Sequence, residues 1–130
     1  MSERTITVPV IRWVESTVTV PEPSWCLGHP ADRRPEAEAD LTHTGSPVSL
    51  DLSIGDEDPQ PFLTLTPVSH PRASNEDRRK PYVHLSVEFD GAECTPEELH
   101  DLAAQFARHA AALRVHAHYF AALLADGGSR

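Results

Sequence analysis

The feature that most constrains this chain is a helix signal near its C-terminal end with both boundaries marked. Thr95 is a good N-cap, Pro96 suits the first helical position, and Glu98 stands three residues after Thr95 to complete a capping box. Gly127 and Gly128 supply the stop. Between them Leu99, Ala103, Phe106, Ala110, Leu113, Ala117, Phe120 and Leu124 recur at alternating steps of four and three. That is a heptad seam in which large and small residues take turns. The spacing predicts one amphipathic helix from Thr95 to about Ala125.

The chain before the helix reads as extended. All 12 prolines fall before residue 97, where they oppose helix and punctuate short strands. Thr5 to Val20 is rich in β-branched and apolar residues, Trp13 among them, and Pro9 places that run at an edge or a bulge. Val48 to Ile54 alternates Val48, Leu50, Leu52 and Ile54 against Ser49, Asp51 and Ser53. Phe62 to Val68 extends again, and Tyr82 to Phe89 alternates Val83, Leu85, Val87 and Phe89 against His84, Ser86 and Glu88. Ser69 to Pro81 is a polar loop. The fold class that follows is α+β: a small, mostly antiparallel sheet of three to four strands with one long C-terminal amphipathic helix on one face. The 130 residues suit a single domain, 1–130.

Pro21 to Pro47 is the exception. It carries five prolines, Pro21, Pro23, Pro30, Pro35 and Pro47, and acidic residues at Glu36, Glu38 and Asp40, but few residues expected to fill a core. It is longer than an ordinary connection, so either something orders it or it is mobile. Within it lies Cys26-Leu27-Gly28-His29, and His43 follows 14 residues after His29. Thiolate and imidazole suit Zn²⁺. A two-residue gap lets two ligands of one knuckle reach one ion, and Gly28 permits the turn. Structural zinc contributes on the order of 10 kcal/mol to small sites, enough to replace a missing core. Cys26, His29 and His43 are therefore the candidate metal ligands, with Asp40, His70, His84 and Cys94 as candidates for the fourth position. The competing reading is a buried thiol beside two surface histidines. His100, His109, His116 and His118 lie in the helix and read as rim residues.

The string Pro23-Ser24-Trp25-Cys26, then His29, then His43-Thr44-Gly45, followed by the Thr-Pro-Glu-Glu start of the final helix, resembles a family of small uncharacterised actinobacterial proteins, often found in streptomycetes and their phages. The resemblance runs from Trp25 to the helix. It implies a lineage and groups Trp25, Cys26, His29 and His43. The family carries no established activity, so the resemblance implies none.

Lys plus Arg number 11 and Asp plus Glu 20, a net charge of −9. A polyanion is repelled by such a chain, and the one basic run, Arg78-Arg79-Lys80, follows two acidic residues, so no nucleic-acid partner is expected. No apolar run of membrane-spanning length and no signal-peptide pattern occurs, and two cysteines make no disulfide framework; the expectation is a cytoplasmic protein with no membrane partner. No phosphate-cradling glycine loop, nucleophile elbow or zinc-deaminase pattern is present. The function these features suit best is a non-catalytic regulatory or protein-interaction domain, stabilised by zinc. A small thiol- or zinc-dependent enzyme is the alternative. Thirty helical residues span roughly 45 Å, whereas strands of seven or eight reach about 25 Å. An apolar overhang of Leu113, Ala117, Phe120 and Leu124, with Val115 and Tyr119 on the far side, is therefore expected; either the helix breaks near Arg114, or the overhang is covered by a second copy in a homodimer or by a protein partner.

Overall fold

A computed structural model describes residues 3–11, 16–29 and 36–127, with side chains to residue 125. Trp13 and Val14, read above as strand, and Pro30 and Pro35 lie outside the described residues, as does Gly128 of the expected helix stop. The architecture is α+β, with two antiparallel sheets and a long C-terminal helix. The first apolar run forms a hairpin of its own, β1 (Thr5–Val10) on β2 (Ser16–Pro21), and does not join the larger sheet. Its inward face carries Val8, Val10 and Val20, with Ile6 and Val18 packed beside them. Leu41, from the proline-rich segment, closes that small core. Pro9 sits opposite Thr17 in a two-stranded sheet, where each strand has an open side to which a missing donor is harmless.

The larger sheet is organised around β5 (Gln60–Ser69). The pairs Thr44↔Val68 and Val48↔Leu65 put β3 (His43–Thr44) and β4 (Val48–Leu52) end to end along one edge of β5. β6 (Tyr82–Val87) pairs across the whole of that span, from Val68 to Leu63, and so takes the other edge. The alternation read over Val48 to Ile54 holds in β4, where Leu50 and Leu52 are buried and Ser49 and Asp51 exposed. The polar segment after β5, a loop by its sequence, contains a four-residue helical turn, α1 (Glu76–Arg79). Asn75 starts it by accepting a hydrogen bond from Asp77 N at 2.9 Å.

The final helix, α2, runs Pro96–Gly127. Its capping box is formed as expected: Thr95 N donates to Glu98 Oε1 at 3.0 Å and Glu98 N donates to Thr95 Oγ1 at 3.2 Å. The face it turns to the sheet differs from the heptad seam. The residues withdrawn from solvent are Glu98, Leu102, Gln105, His109, Ala112, Leu113, His116, Phe120, Leu123 and Leu124, a stripe shifted one residue from the seam over the first turns that takes in the seam residues Leu113, Phe120 and Leu124 further on. Leu99 and Phe106 are left 55% and 45% exposed. The physical reason lies in β4, an edge strand with outward backbone groups to satisfy. Gln105 Nε2 donates to Ser53 O at 2.6 Å, and Ser53 N donates to Gln105 Oε1 at 2.8 Å. His109 Nε2 lies 2.6 Å from Asp51 O, so it is a docking residue and not the rim residue expected. Backbone groups at a sheet edge outbid apolar area in setting the helix rotation.

Of the expected overhang, Leu113, Phe120 and Leu124 are withdrawn from solvent, while Val115, Ala117 and Tyr119 are exposed. Phe120 is 4% exposed and packs near Leu65 and Val83, so the C-terminal half of α2 lies on the sheet. Tyr119 and Val115 border Pro47 and Val48. Apolar area is bare at Val115 and Tyr119 and also at Leu99 and Phe106 of α2 and at Leu85 and Val87 of β6. No helix among the described residues is long and apolar enough to cross a membrane.

Candidate metal centre

The proline-rich segment is packed more tightly than its composition suggests. Glu22, Pro23, Trp25 and Cys26 are buried in a row. A turn closed by Cys26 N donating to Pro23 O at 3.1 Å lifts Cys26 back over Glu22. The chain is then stitched to the start of the sheet. Cys26 bridges Gly45 in antiparallel fashion, Leu27 N donates to Thr44 O at 3.0 Å, and Gly45 N donates to Pro67 O at 2.9 Å. Gly28 adopts the left-handed backbone the knuckle needs, φ +99°, and its N–H points at Cys26 Sγ across 3.4 Å. His43 enters from β3, whose partner residue on β5 is Ser69. A hairpin end, a knuckle and a strand end converge here.

These constraints bring the three candidate ligands together. Cys26 Sγ lies 3.7 Å from His29 Nε2, and His29 Nε2 lies 3.3 Å from His43 Nδ1. One ligand atom from each residue falls within 4.8 Å of the others. Cys26 and His43 are buried and His29 is half-buried at the mouth. The cluster can hold a metal ion. Burial pushes the Cys26 thiol pKa up, while the N–H of Gly28 pulls it back and the neighbouring Glu22 raises it further.

None of the four residues considered for the fourth position joins this cluster. Cys94 is exposed before α2, His84 is exposed on β6, and Asp40 lies exposed in a short 3₁₀ turn, Glu38–Asp40. His70 is engaged elsewhere: its Nε2 is 2.7 Å from Tyr82 Oη and its Nδ1 is 3.3 Å from Thr42 Oγ1. Burial, with the charge of Arg78, holds the His70 pKa below the usual imidazole value.

The sequence reading missed Glu22. Its carboxylate is buried at 9% exposure and accepts from Arg4 Nε at 3.0 Å. Arg4 Nη2 also donates to Cys26 O at 3.0 Å, so one guanidinium holds both residues. Burial alone would raise the Glu22 pKa. The hydrogen bond from Arg4, the contact with Cys26 and the charges of Arg4 and His29 outweigh it and leave that pKa lowered. A carboxylate between two prolines gave one signal, its closeness in sequence to Cys26, and the turn that uses it is visible only in three dimensions.

Residues 5–122 match the model of a family described as a domain of unknown function, DUF6907, and the chain belongs to that family. The match speaks to the family and not to its lineage. No curated protein and no solved structure matches the chain.

Proposed function

We propose that this domain is a zinc-stabilised, non-catalytic interaction module. One observation carries the metal reading. Zinc bonds of about 2.3 Å to sulfur and about 2.0–2.1 Å to nitrogen, arranged tetrahedrally, place S···N at about 3.6 Å and N···N at about 3.3 Å. The separations here are 3.7 Å and 3.3 Å. The two contacts are hydrogen bonds by their length, and the same lengths suit two edges of a shared coordination tetrahedron. The N–H of Gly28 directed at the sulfur suits a thiolate ligand. Zinc would pin the proline-rich segment to the sheet, where Trp25 and Leu41 by themselves provide a small apolar area.

For the partner, the exposed flank of Leu85, Val87, Leu99 and Phe106 favours a second copy of the chain or another protein. Metal analysis of protein purified without chelator tests the proposal. The expected result is about one zinc per chain, lost in Cys26→Ser and His29→Ala, with a lower melting temperature after chelation. Metal-free protein whose melting temperature ignores chelator would remove it.

A further inference from the structure

We propose that Glu22 is the fourth protein ligand of the ion held by Cys26, His29 and His43, with Arg4 holding its other oxygen; this assignment rests on the metal reading above. The two carboxylate oxygens of Glu22 have different surroundings. Oε2 takes the hydrogen bond from Arg4 Nε at 3.0 Å. Oε1 is buried and accepts no hydrogen bond among the described residues. The Cys26 thiol is the donor set against this carboxyl; once that sulfur is a metal-bound thiolate it has no proton to give, and a cation is one of the few groups that satisfies a buried carboxylate oxygen.

The position of Glu22 fits this role. The Pro23–Cys26 turn sets the carboxyl against the Cys26 thiol, and the Glu22 N–H donates to Arg4 O, fixing the backbone under the site. Arg4 grips the Cys26 carbonyl with the other arm of the same guanidinium. The sulfur and the carboxylate are thus carried on one braced turn, and the two imidazoles approach from the knuckle and from β3.

Charge balance points the same way. A thiolate, a carboxylate and two neutral imidazoles sum to −2 and match a divalent ion in direct contact, while Arg4, whose side chain is half exposed, carries its own charge at the solvent side. The carboxylate stands beside the sulfur and outside the close three-atom group, so completing the shell takes a rotation of the Glu22 side chain toward the ion. With Glu22 bound the shell is closed and the centre is structural. With Glu22 outside it, the ion keeps a water, and the carboxylate becomes a base beside that water.

Cobalt(II) titrated into the full chain separates these outcomes. The wild-type protein is expected to show a thiolate-to-cobalt charge-transfer band, four-coordinate visible bands and no ion-bound water when examined by magnetic resonance in ¹⁷O-enriched water. Glu22→Gln is expected to keep the thiolate band, gain a bound water and bind zinc at least about tenfold more weakly, the loss typical even for partners outside the first shell. Bound water in the wild-type complex would overturn the assignment of Glu22 while leaving the metal centre standing. So would a Glu22→Gln complex with unchanged spectrum and affinity. Absence of any thiolate band in the wild type would overturn the metal reading itself and this assignment with it. Should Glu22→Gln fail to fold, the wild-type water measurement decides alone.

Discussion

The backbone of Gly45 runs directly against Trp25: a Cβ on Gly45 would stand 2.9 Å from the Trp25 carbonyl oxygen and 3.1 Å from Trp25 Cε3. It would also stand 2.5 Å from Pro67 Cγ. The close approach lets Gly45 bridge Cys26 and donate to Pro67 at once. The contact therefore sets the distance between the cysteine knuckle and the strand that carries His43.

Gly45→Ala is accordingly expected to destabilise the fold by overpacking, at about 1–3 kcal/mol. Its metal affinity should fall as well, because Cys26 and His43 are pushed apart. Denaturation with and without zinc measures both effects. Gly91→Ala is a useful contrast, since no atom lies within 4 Å of a Cβ there, although its φ of +109° adds backbone strain. A Gly45→Ala protein as stable as the wild type, with unchanged zinc affinity, would refute the packing argument.

The hydrogen bonds between Gln105 and Ser53 carry the docking of the helix on the β4 edge. Gln105→Ala removes two bonds and leaves a part-buried N–H and C=O unsatisfied, at an expected cost of about 1–3 kcal/mol. Gln105→Glu keeps the acceptor for Ser53 N and sets a carboxylate oxygen against Ser53 O, so it should be no better. Ala104→Ser, on the exposed side of the same turn, should stay within about 0.5 kcal/mol. Chemical denaturation resolves these differences. Equal stability for Gln105→Ala and the wild type would mean that the helix is held by its apolar contacts alone.

Much of this arrangement was legible in the sequence, for identifiable reasons. The capping box of Thr95 and Glu98 is local chemistry, and it formed as read. The alternation in Val48 to Leu52 reports a face, and the face is there. Cys26, His29 and His43 were grouped by donor type and spacing, and the fold brings them together. What escaped the reading depends on long-range partners. The rotation of α2 is set by Gln105 and His109 meeting the backbone at Asp51 and Ser53, and a heptad pattern carries no information about a distant strand edge. Glu22 was hidden because its role is defined by Arg4, 18 residues away in sequence. The separate hairpin β1–β2 was hidden because apolar strand composition does not say which sheet a strand joins.

The charge of −9 leads to an expectation about nucleic acid. The exposed Arg78-Arg79-Lys80 cluster lies beside Glu76 and Asp77, and Arg79 Nε is already donated to Ala73 O at 2.7 Å. Binding to duplex DNA at physiological salt should be no tighter than the weak non-specific range, about 10⁻⁴ M. Fluorescence anisotropy at two salt concentrations checks this. A nanomolar complex weakened steeply by salt would show it to be wrong.

The last expectation concerns self-association, and the structure relocates its test. Phe120 is 4% exposed beneath the C-terminal half of α2, so Phe120→Glu should unfold the domain and say nothing of an interface. The apolar flank lies elsewhere. The ring of Phe106 meets Phe62 edge-on at 5.5 Å, and Phe62 meets Phe89 at 6.3 Å, which anchors the exposed part of the seam beside the end of β6. At the other end Leu113 and Ala117 line a groove with Val83. Between these points Leu85 and Val87 are 52% and 61% exposed. Ala103 and Ala110 are small, which would let a second helix approach along this flank. A homodimer through it predicts a species of twice the 14.3 kDa chain mass at micromolar concentration. Leu99→Glu should give a monomer with unchanged helix content, because that side chain is 55% exposed; Phe106→Glu should also disrupt the dimer, at some cost in stability because its ring packs on Phe62. Sedimentation velocity with circular dichroism measures both quantities. A monomeric wild type with an intact helix would sink the homodimer, and a dimer untouched by either substitution would place its interface on another surface.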